Sequence, residues 1–126
     1  MEDDLTDSSA IDRKFQKELN AGTSALILLS VLEQASEPMY GYQIAKIVAA
    51  QLSEDSGIKQ GVLYPVLRSL EEAGLLESSV EPSVSGPPRR YYRITPSGLD
   101  TLQRWVSLWN QSKTFVETIL EGKYYV

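Results

Sequence analysis

The C-terminal segment carries two parallel series of apolar residues, and this feature restricts the possible folds more than any other. After Thr95 and Pro96, which are typical of the N-cap and first residue of a helix, apolar side chains recur every three or four residues to about Glu121. The first series contains Leu99, Leu102, Val106, Trp109, Val116 and Leu120 and is broken only at Lys113. The second series has the same spacing and contains Trp105, Leu108, Phe115 and Ile119, with Ser112 between Leu108 and Phe115. A small domain can bury one series against its own first helix, but the other would be exposed in a monomer.

The two series therefore predict a long C-terminal helix that forms a homodimer. A helix of about 25 residues spans roughly 37 Å, which is ample for a two-fold interface. The residues predicted to form the interface are Leu102, Trp105, Val106, Leu108, Trp109, Phe115, Val116, Ile119 and Leu120.

Three further helices are predicted upstream, because apolar residues recur there with the helical period. They cover about Ile11–Gln34, Gly41–Leu52 and Gln60–Ala73, and Gly74 is suited to end the third in the left-handed conformation. The residues predicted to face the core are Leu19, Leu26, Leu29 and Leu32 in the first helix, Ile44, Ile47, Val48 and Leu52 in the second, and Val62, Leu63, Val66, Leu67 and Leu70 in the third.

A two-stranded hairpin is predicted between the third and the last helix. Leu75–Val80 and Arg90–Ile94 alternate in polarity, and the segment between them is rich in proline and glycine. Helix, short turn, helix and hairpin in this order are typical of a winged helix-turn-helix. The expected fold is therefore mainly α with a small β-hairpin: a disordered acidic tail (1–10), a winged-helix DNA-binding domain (11–95), and a C-terminal dimerisation helix with a short tail (96–126).

Composition narrows the function. The chain has no cysteine and no histidine, so it lacks thiolate chemistry, zinc sites of the Cys/His kind and the usual general base. The acidic pairs Glu54-Asp55 and Glu71-Glu72 lie at helix ends among polar residues and are interpreted as solvated charge rather than a catalytic dyad. We expect no catalytic residue, no metal and no cofactor.

The cytoplasm is the expected location. The acidic N-terminus lacks the order of a signal peptide, and the longest apolar run, Ala25–Leu29, is far shorter than the about 20 residues of a membrane span.

The third helix is the candidate recognition element for DNA. With its apolar face buried, Gln60, Tyr64 and Arg68 project together from the opposite side. Tyrosine and arginine bind phosphate oxygens, and arginine also reads guanine edges. An ordinary solvated helix face is the alternative interpretation.

The hairpin supplies a second basic group. Arg89 and Arg90 have no structural role evident in the sequence, and Lys46 and Lys59 are predicted to lie on the same side. The alternative is a solubilising loop with core tyrosines, and Tyr92 is indeed predicted to be buried. The net charge of −5 argues against a DNA-binding protein, but four of the acidic residues, Glu2, Asp3, Asp4 and Asp7, lie in the predicted tail.

Four ordered motifs resemble the PadR family of bacterial transcriptional regulators, across about residues 19–120. They are Tyr40-Gly41-Tyr42-Gln43-Ile44 at the start of the second helix, Gly61-Val62-Leu63-Tyr64-Pro65-Val66-Leu67 in the third, Leu70-Glu71-Glu72-Ala73-Gly74-Leu75-Leu76 after it, and Arg89-Arg90-Tyr91-Tyr92-Arg93-Ile94-Thr95 in the hairpin. The single C-terminal helix is similar to the compact branch that includes multidrug-sensing repressors. Tyr40, Val62 and Gln60 depart from the family pattern, which often has histidine, a hydroxyl residue and proline at these positions.

The resemblance implies a homodimeric repressor that binds a palindromic operator in double-stranded DNA. It implies contact with the DNA backbone by Tyr64 and contact with the adjacent groove by Arg89 and Arg90 of the hairpin, which is called the wing in this fold. Tyr40 and Gln43, at the start of the second helix, are also expected to bind DNA.

The resemblance also implies that a small aromatic effector enters between the protomers near Trp109. Lys113 interrupts the apolar series one turn from Trp109, so an anionic or phenolic compound is expected to suit such a site. The alternative is that the aromatic rings of this helix only fill the dimer core. The alternative functions are a winged-helix protein-interaction module without DNA binding and an enzyme, for which no constellation of residues is present.

Overall fold

The computed structural model describes residues 2–51 and 60–126, with side chains described for 9–51 and 61–126. Along the chain, helices and short strands alternate in the order expected of a winged helix. The elements are α1 (Glu2–Gln34), β1 (Met39–Tyr40), α2 (Gly41–Gln51), α3 (Gln60–Glu72), β2 (Leu76–Glu81), β3 (Arg89–Ile94) and α4 (Pro96–Leu120). No helix in these described ranges is both long enough and apolar enough to cross a membrane.

The first helix is longer than the sequence pattern predicts. It begins at Glu2 rather than about Ile11, so residues 2–10 are helical and the prediction of a disordered tail is wrong for them. Two physical reasons account for the difference. No proline or glycine interrupts the segment before Gly22, and acidic residues near a helix N-terminus are favoured by the helix dipole.

The core lies where α1, α2, α3 and the sheet meet. Its fully buried members include Leu28 and Leu29 of α1, Ile44 of α2, and Leu63 and Leu67 of α3. Three predicted core residues are instead substantially exposed: Leu19 (46%), Ile47 (41%) and Val62 (48%). Each of these helices is covered on only part of its circumference, so the apolar residues at the edge of each stripe remain exposed. Leu52 lies outside the described residues.

The sheet has three antiparallel strands in the order β1-β3-β2, one more than the predicted hairpin. The strand that was not predicted is β1, in which Met39 pairs with Tyr92 and Tyr40 with Tyr91. Tyr92 is 3% exposed, which confirms its predicted place in the core.

Gly74 and Thr95 join α3 and the sheet to α4. Gly74 has φ +80°, a left-handed conformation that ends α3 as predicted. Thr95 is the N-cap of α4: its side chain accepts a hydrogen bond from the Gly98 N–H (3.0 Å), and its hydroxyl donates to the Gly74 carbonyl (2.7 Å). Beyond Leu102, which is 7% exposed, most of α4 leaves the core and projects from the domain.

Candidate nucleic-acid interface

The outer face of α3 presents Tyr64 and Arg68 one turn apart. Leu63, Leu67 and Leu70 anchor the inner face of the helix in the core, so the intervening positions face outward. Arg68 is exposed and Tyr64 is 39% exposed. Gln60 begins α3, but its side chain, like the whole of Lys59, lies outside the described residues.

The Tyr64 ring lies across the start of α2. A Cβ atom added at Gly41 would lie 2.7 Å from the Tyr64 hydroxyl oxygen and 2.8 Å from its Cζ, so a larger residue at this position would displace the Tyr64 ring. This close approach couples α2 to α3 and holds the tyrosine hydroxyl beside the first turn of α2, where backbone N–H groups have no partner within the helix. Sequence reasoning missed this role of Gly41, although glycine between two tyrosines at a helix start is a usable signal.

Gln43 has a structural role at the same helix start. Its side-chain oxygen accepts a hydrogen bond from the Tyr40 backbone N–H (3.1 Å), as the third helical residue does in a capping box. The Gln43 side chain is exposed, so its amide nitrogen remains able to donate to another group.

Aromatic rings and basic side chains alternate beside this helix start. The Arg89 guanidinium carbon lies 4.4 Å from the centroid of the Tyr40 ring, which stacks on Tyr42 at 6.4 Å. The Lys46 ammonium lies 5.8 Å from the Tyr42 ring, and Tyr91 meets Tyr40 edge-on at 5.4 Å. Cation–π contacts of this kind stabilise by roughly 0.5–1 kcal/mol each at exposed sites. Lys46 of α2 and Arg89 of the wing are therefore parts of one surface, here called the aromatic–basic patch.

Arg90 belongs to a different surface from Arg89. Successive residues of a strand point to opposite faces, so Arg90 shares its face of β3 with buried Tyr92. The Arg90 Nη1 donates to Ser78 Oγ (3.0 Å), and Ser78 Oγ donates to the Glu71 carboxylate at the end of α3 (2.5 Å). The expectation that Arg89 and Arg90 have no structural role is therefore wrong, because each has a partner within the chain that only the folded sheet brings close.

The ionisation of Tyr92 responds to charges of both elements. Burial raises the pKa of Tyr92 above the usual value of a tyrosine, and the negative charge of Glu71 raises it further. The positive charges of Arg90 and Arg68 act in the opposite direction on that pKa. Of these charged groups, Glu71 and Arg90 are joined through the Ser78 hydroxyl where α3 meets the wing.

Most of the predicted dimer residues on α4 are exposed in the single chain. Leu102 is buried and Trp105 is half-buried. The others are at least two-fifths exposed: Val106 44%, Leu108 56%, Trp109 41%, Phe115 66%, Val116 51%, Ile119 48% and Leu120 80%. These exposed residues lie along α4 on both sides of a polar turn that contains Ser112 and Lys113, and together they are here called the α4 apolar face.

The predicted effector residues, Trp109 and Lys113, lie on the projecting part of α4, where Lys113 is exposed. A separate apolar groove of about 590 Å³ lies between α1, α3 and the start of α4, with Trp105, Val62 and Ser24 among its lining residues. Trp109 and Lys113 lie one and two turns beyond Trp105 and do not line this groove.

Comparison with known proteins identifies relatives of this chain. Residues 28–104 match the transcriptional regulator PadR-like family. An uncharacterised protein from Lysinibacillus sphaericus is 31% identical over 98 residues, which are 78% of this chain and 87% of that protein. The crystal structure of a PadR family transcriptional regulator from Eggerthella lenta DSM 2243 has 35% identity, a TM-score of 0.69, and coverage of 94% of this chain and 95% of its own. A transcriptional regulator from Clostridium thermocellum has 29% identity, a TM-score of 0.71, and coverage of 80% and 93%.

Proposed function

The chain belongs to the PadR-like family of transcriptional regulators, and on that basis we propose that it is a homodimeric repressor. It binds a palindromic operator in double-stranded DNA and is released by a small aromatic effector. In this proposal residues 11–95 bind DNA and residues 96–126 form the dimer. The observation that carries the proposal is the outward face of α3, where Tyr64 and Arg68 stand beside the basic side chains of α2 and the wing.

We assign DNA contact to the outward face of α3, to the aromatic–basic patch and to Arg90 of the wing. In the major groove, Arg68 reads a base edge and the Tyr64 hydroxyl binds a backbone phosphate, because it is held beside the free N–H groups of α2. The aromatic–basic patch supplies further phosphate contacts from rigidly held cations. The proposed contact residues are Tyr40, Gln43, Lys46, Lys59, Gln60, Tyr64, Arg68, Arg89 and Arg90.

The net charge of −5 does not oppose this function, because the charge is unevenly distributed. Glu2, Asp3, Asp4 and Asp7 lie at the start of α1, whereas the cations of the patch lie on α2 and the wing. Phosphate binding needs a local group of cations rather than a basic whole protein.

Dimerisation follows from the α4 apolar face. Phe115 is 66% exposed and Leu120 is 80% exposed, and apolar surfaces of this extent are typical of interfaces. A second copy of α4 related by two-fold symmetry presents the same residues, so the face can cover itself. The proposed interface residues are Leu102, Trp105, Val106, Leu108, Trp109, Phe115, Val116, Ile119 and Leu120.

The DNA-binding proposal is tested by a salt titration of binding to the DNA upstream of the protein's own gene. The Arg89→Ala, Arg90→Ala double variant should bind less tightly to every sequence, and each lost phosphate contact should lower the salt slope by about 1. Arg104→Ala is the control, since this exposed arginine contacts Thr101 within α4 (2.9 Å). Equal binding by the double variant and the parent at the same salt would show that Arg89 and Arg90 do not contact DNA. No salt-dependent binding by the parent would favour a protein-interaction module.

The effector is proposed to bind between the α4 helices near Trp109, where large rings from two copies would meet. Flat aromatic molecules are held by offset stacking between such rings, and Lys113 favours anionic or phenolic compounds over cationic ones. Tryptophan fluorescence quenching by matched anionic and cationic aromatics tests this in the parent, in Lys113→Ala and in Lys123→Ala as a control. Anions should quench more strongly, and only Lys113→Ala should lose the preference. A preference for cations, or no quenching, would leave the rings as packing residues of the dimer.

A further inference from the structure

Where α3 meets the wing, an acidic side chain stands between the two surfaces assigned to DNA. Glu71 lies in the last turn of α3 and is half-buried. Its carboxylate accepts a hydrogen bond from Ser78 Oγ of β2 (2.5 Å), and Ser78 Oγ accepts one from Arg90 Nη1 of β3 (3.0 Å). One hydroxyl thus links a recognition-helix carboxylate to a wing arginine.

The direction of these hydrogen bonds is fixed by chemistry. Arginine can only donate and a carboxylate can only accept, so the Ser78 hydroxyl uses its single hydrogen toward Glu71 and a lone pair toward Arg90. Bonds linked in this way polarise one another. Removing Glu71 leaves the hydroxyl free to rotate and removes the negative charge that attracts the guanidinium.

We propose that Glu71 is a positioning residue for DNA binding: through Ser78 it holds Arg90 on the α3 side of the wing. The inference rests on the proposed function. An arginine side chain has many rotamers, and their loss opposes binding unless the side chain is already ordered in the free protein. Glu71 orders Arg90 before DNA arrives, so an acidic residue increases affinity for an acidic ligand.

The neighbouring residues support a positioning role. Tyr92 pairs with Ser78 across the sheet and is 3% exposed, so Ser78 is paired with a strand residue that is packed in the core. Burial raises the pKa of Tyr92 most; the charge of Glu71 raises that pKa further, and the charges of Arg90 and Arg68 lower it. Glu72, the next residue, is exposed.

The contrast between the two glutamates gives the test. Simple repulsion from phosphate predicts that Glu71→Ala and Glu72→Ala both strengthen DNA binding, because each removes one negative charge. The positioning role predicts opposite results: Glu71→Ala weakens binding of the upstream DNA by about threefold to tenfold, the range of one net hydrogen bond, and Glu72→Ala binds as well as the parent or better. Ser78→Ala should behave like Glu71→Ala, whereas Ser79→Ala, its exposed neighbour on β2, should not.

A double-mutant cycle separates positioning from a merely structural role. In the Arg90→Ala background, Glu71→Ala should cause no further loss of affinity, because the side chain that it orders is gone. A loss that persists in that background would overturn the proposal, as would equal or tighter binding by Glu71→Ala in the parent background.

A measurement without DNA keeps the inference distinct from the proposed function. In the free protein, the pKa of the Tyr92 phenol should fall in Glu71→Ala and rise in Arg90→Ala, and thermal unfolding identifies any variant that does not fold. If the parent bound no DNA but these pKa shifts occurred, the proposed function would be wrong, and so would the positioning role in DNA binding. The arrangement of Glu71 and Arg90 in the free protein would still be confirmed. If the parent bound DNA and Glu71→Ala bound it as tightly as the parent, only the positioning role would be wrong.

Discussion

The winged-helix part of the molecule and the projecting part of α4 contain similar apolar residues but bury them very differently. In the first part, Leu28, Leu29 and Leu67 are each 0% exposed. In the second, Trp109 and Phe115 are 41% and 66% exposed. The first part is covered by its own chain, whereas the second remains exposed in the single chain.

The boundary between the two parts lies just after Leu102. Up to that residue α4 packs on α1, and beyond Trp105 no other described part of the chain covers the helix. The difference shows that apolar periodicity predicts a helix face in both parts equally well but does not say which molecule covers that face. Burial within one chain separates the residues that stabilise the monomer fold from those available to a partner.

The largest expected effect belongs to the winged-helix core. Leu67→Ala removes a fully buried side chain of α3 and should lower the free energy of unfolding by about 2–5 kcal/mol. Urea denaturation at fixed protein concentration measures it. Val62→Ala on the same helix is the control, since Val62 is 48% exposed and should cost far less. Equal losses in the two variants would contradict the burial pattern of α3.

Truncation of the α4 apolar face should act on association instead of on the monomer fold. Trp109→Ala and Leu120→Ala should each weaken the dimer, by about 2 kcal/mol where the residue is a central anchor. Sedimentation equilibrium over a range of concentrations measures the dissociation constant. Val84→Ala truncates a fully exposed side chain at the wing tip and should leave that constant unchanged. Unchanged dimerisation in both α4 variants would move the interface elsewhere.

A smaller effect is expected at the junction of the two parts. Thr95→Ala removes the acceptor for the Gly98 N–H and the donor to the Gly74 carbonyl, and loss of an N-cap typically costs about 1 kcal/mol. Thermal unfolding measures the loss. Thr114→Ala, at an exposed position inside α4, should have less effect because it caps nothing. A larger loss of stability in Thr114→Ala than in Thr95→Ala would contradict the role of Thr95 as the N-cap that joins α4 to the sheet.

Much of the fold could be predicted because short-range signals set it. Thr95-Pro96 marks the start of α4 and Gly74 the end of α3, and both residues act through local backbone geometry. The helical stripes identified Leu63 and Leu67 as core residues for the same reason. The strand Met39–Tyr40 is too short to show a period, and it exists only because β3 lies beside it.

The candidate interface was predictable in its residue types but not in its arrangement. The sequence places Arg89 and Arg90 side by side, yet strand alternation and distant partners assign one to Tyr40 and the other to Ser78. Glu71 lies at a helix end among polar residues, a position that predicts solvated charge, but its partner Ser78 is seven residues away, across a turn and in another element. Contacts of this kind depend on the pairing of β2 with β3, which no local pattern specifies.

The central claim is that the α4 apolar face is covered by a second copy of the chain. Sedimentation velocity of the parent protein at micromolar concentration tests it most directly. The account predicts a single species of twice the chain mass, with Trp109→Ala shifted toward the monomer at the same concentration. A parent protein that sediments as a monomer would contradict the claim, because the exposed α4 residues would then have no partner in solution.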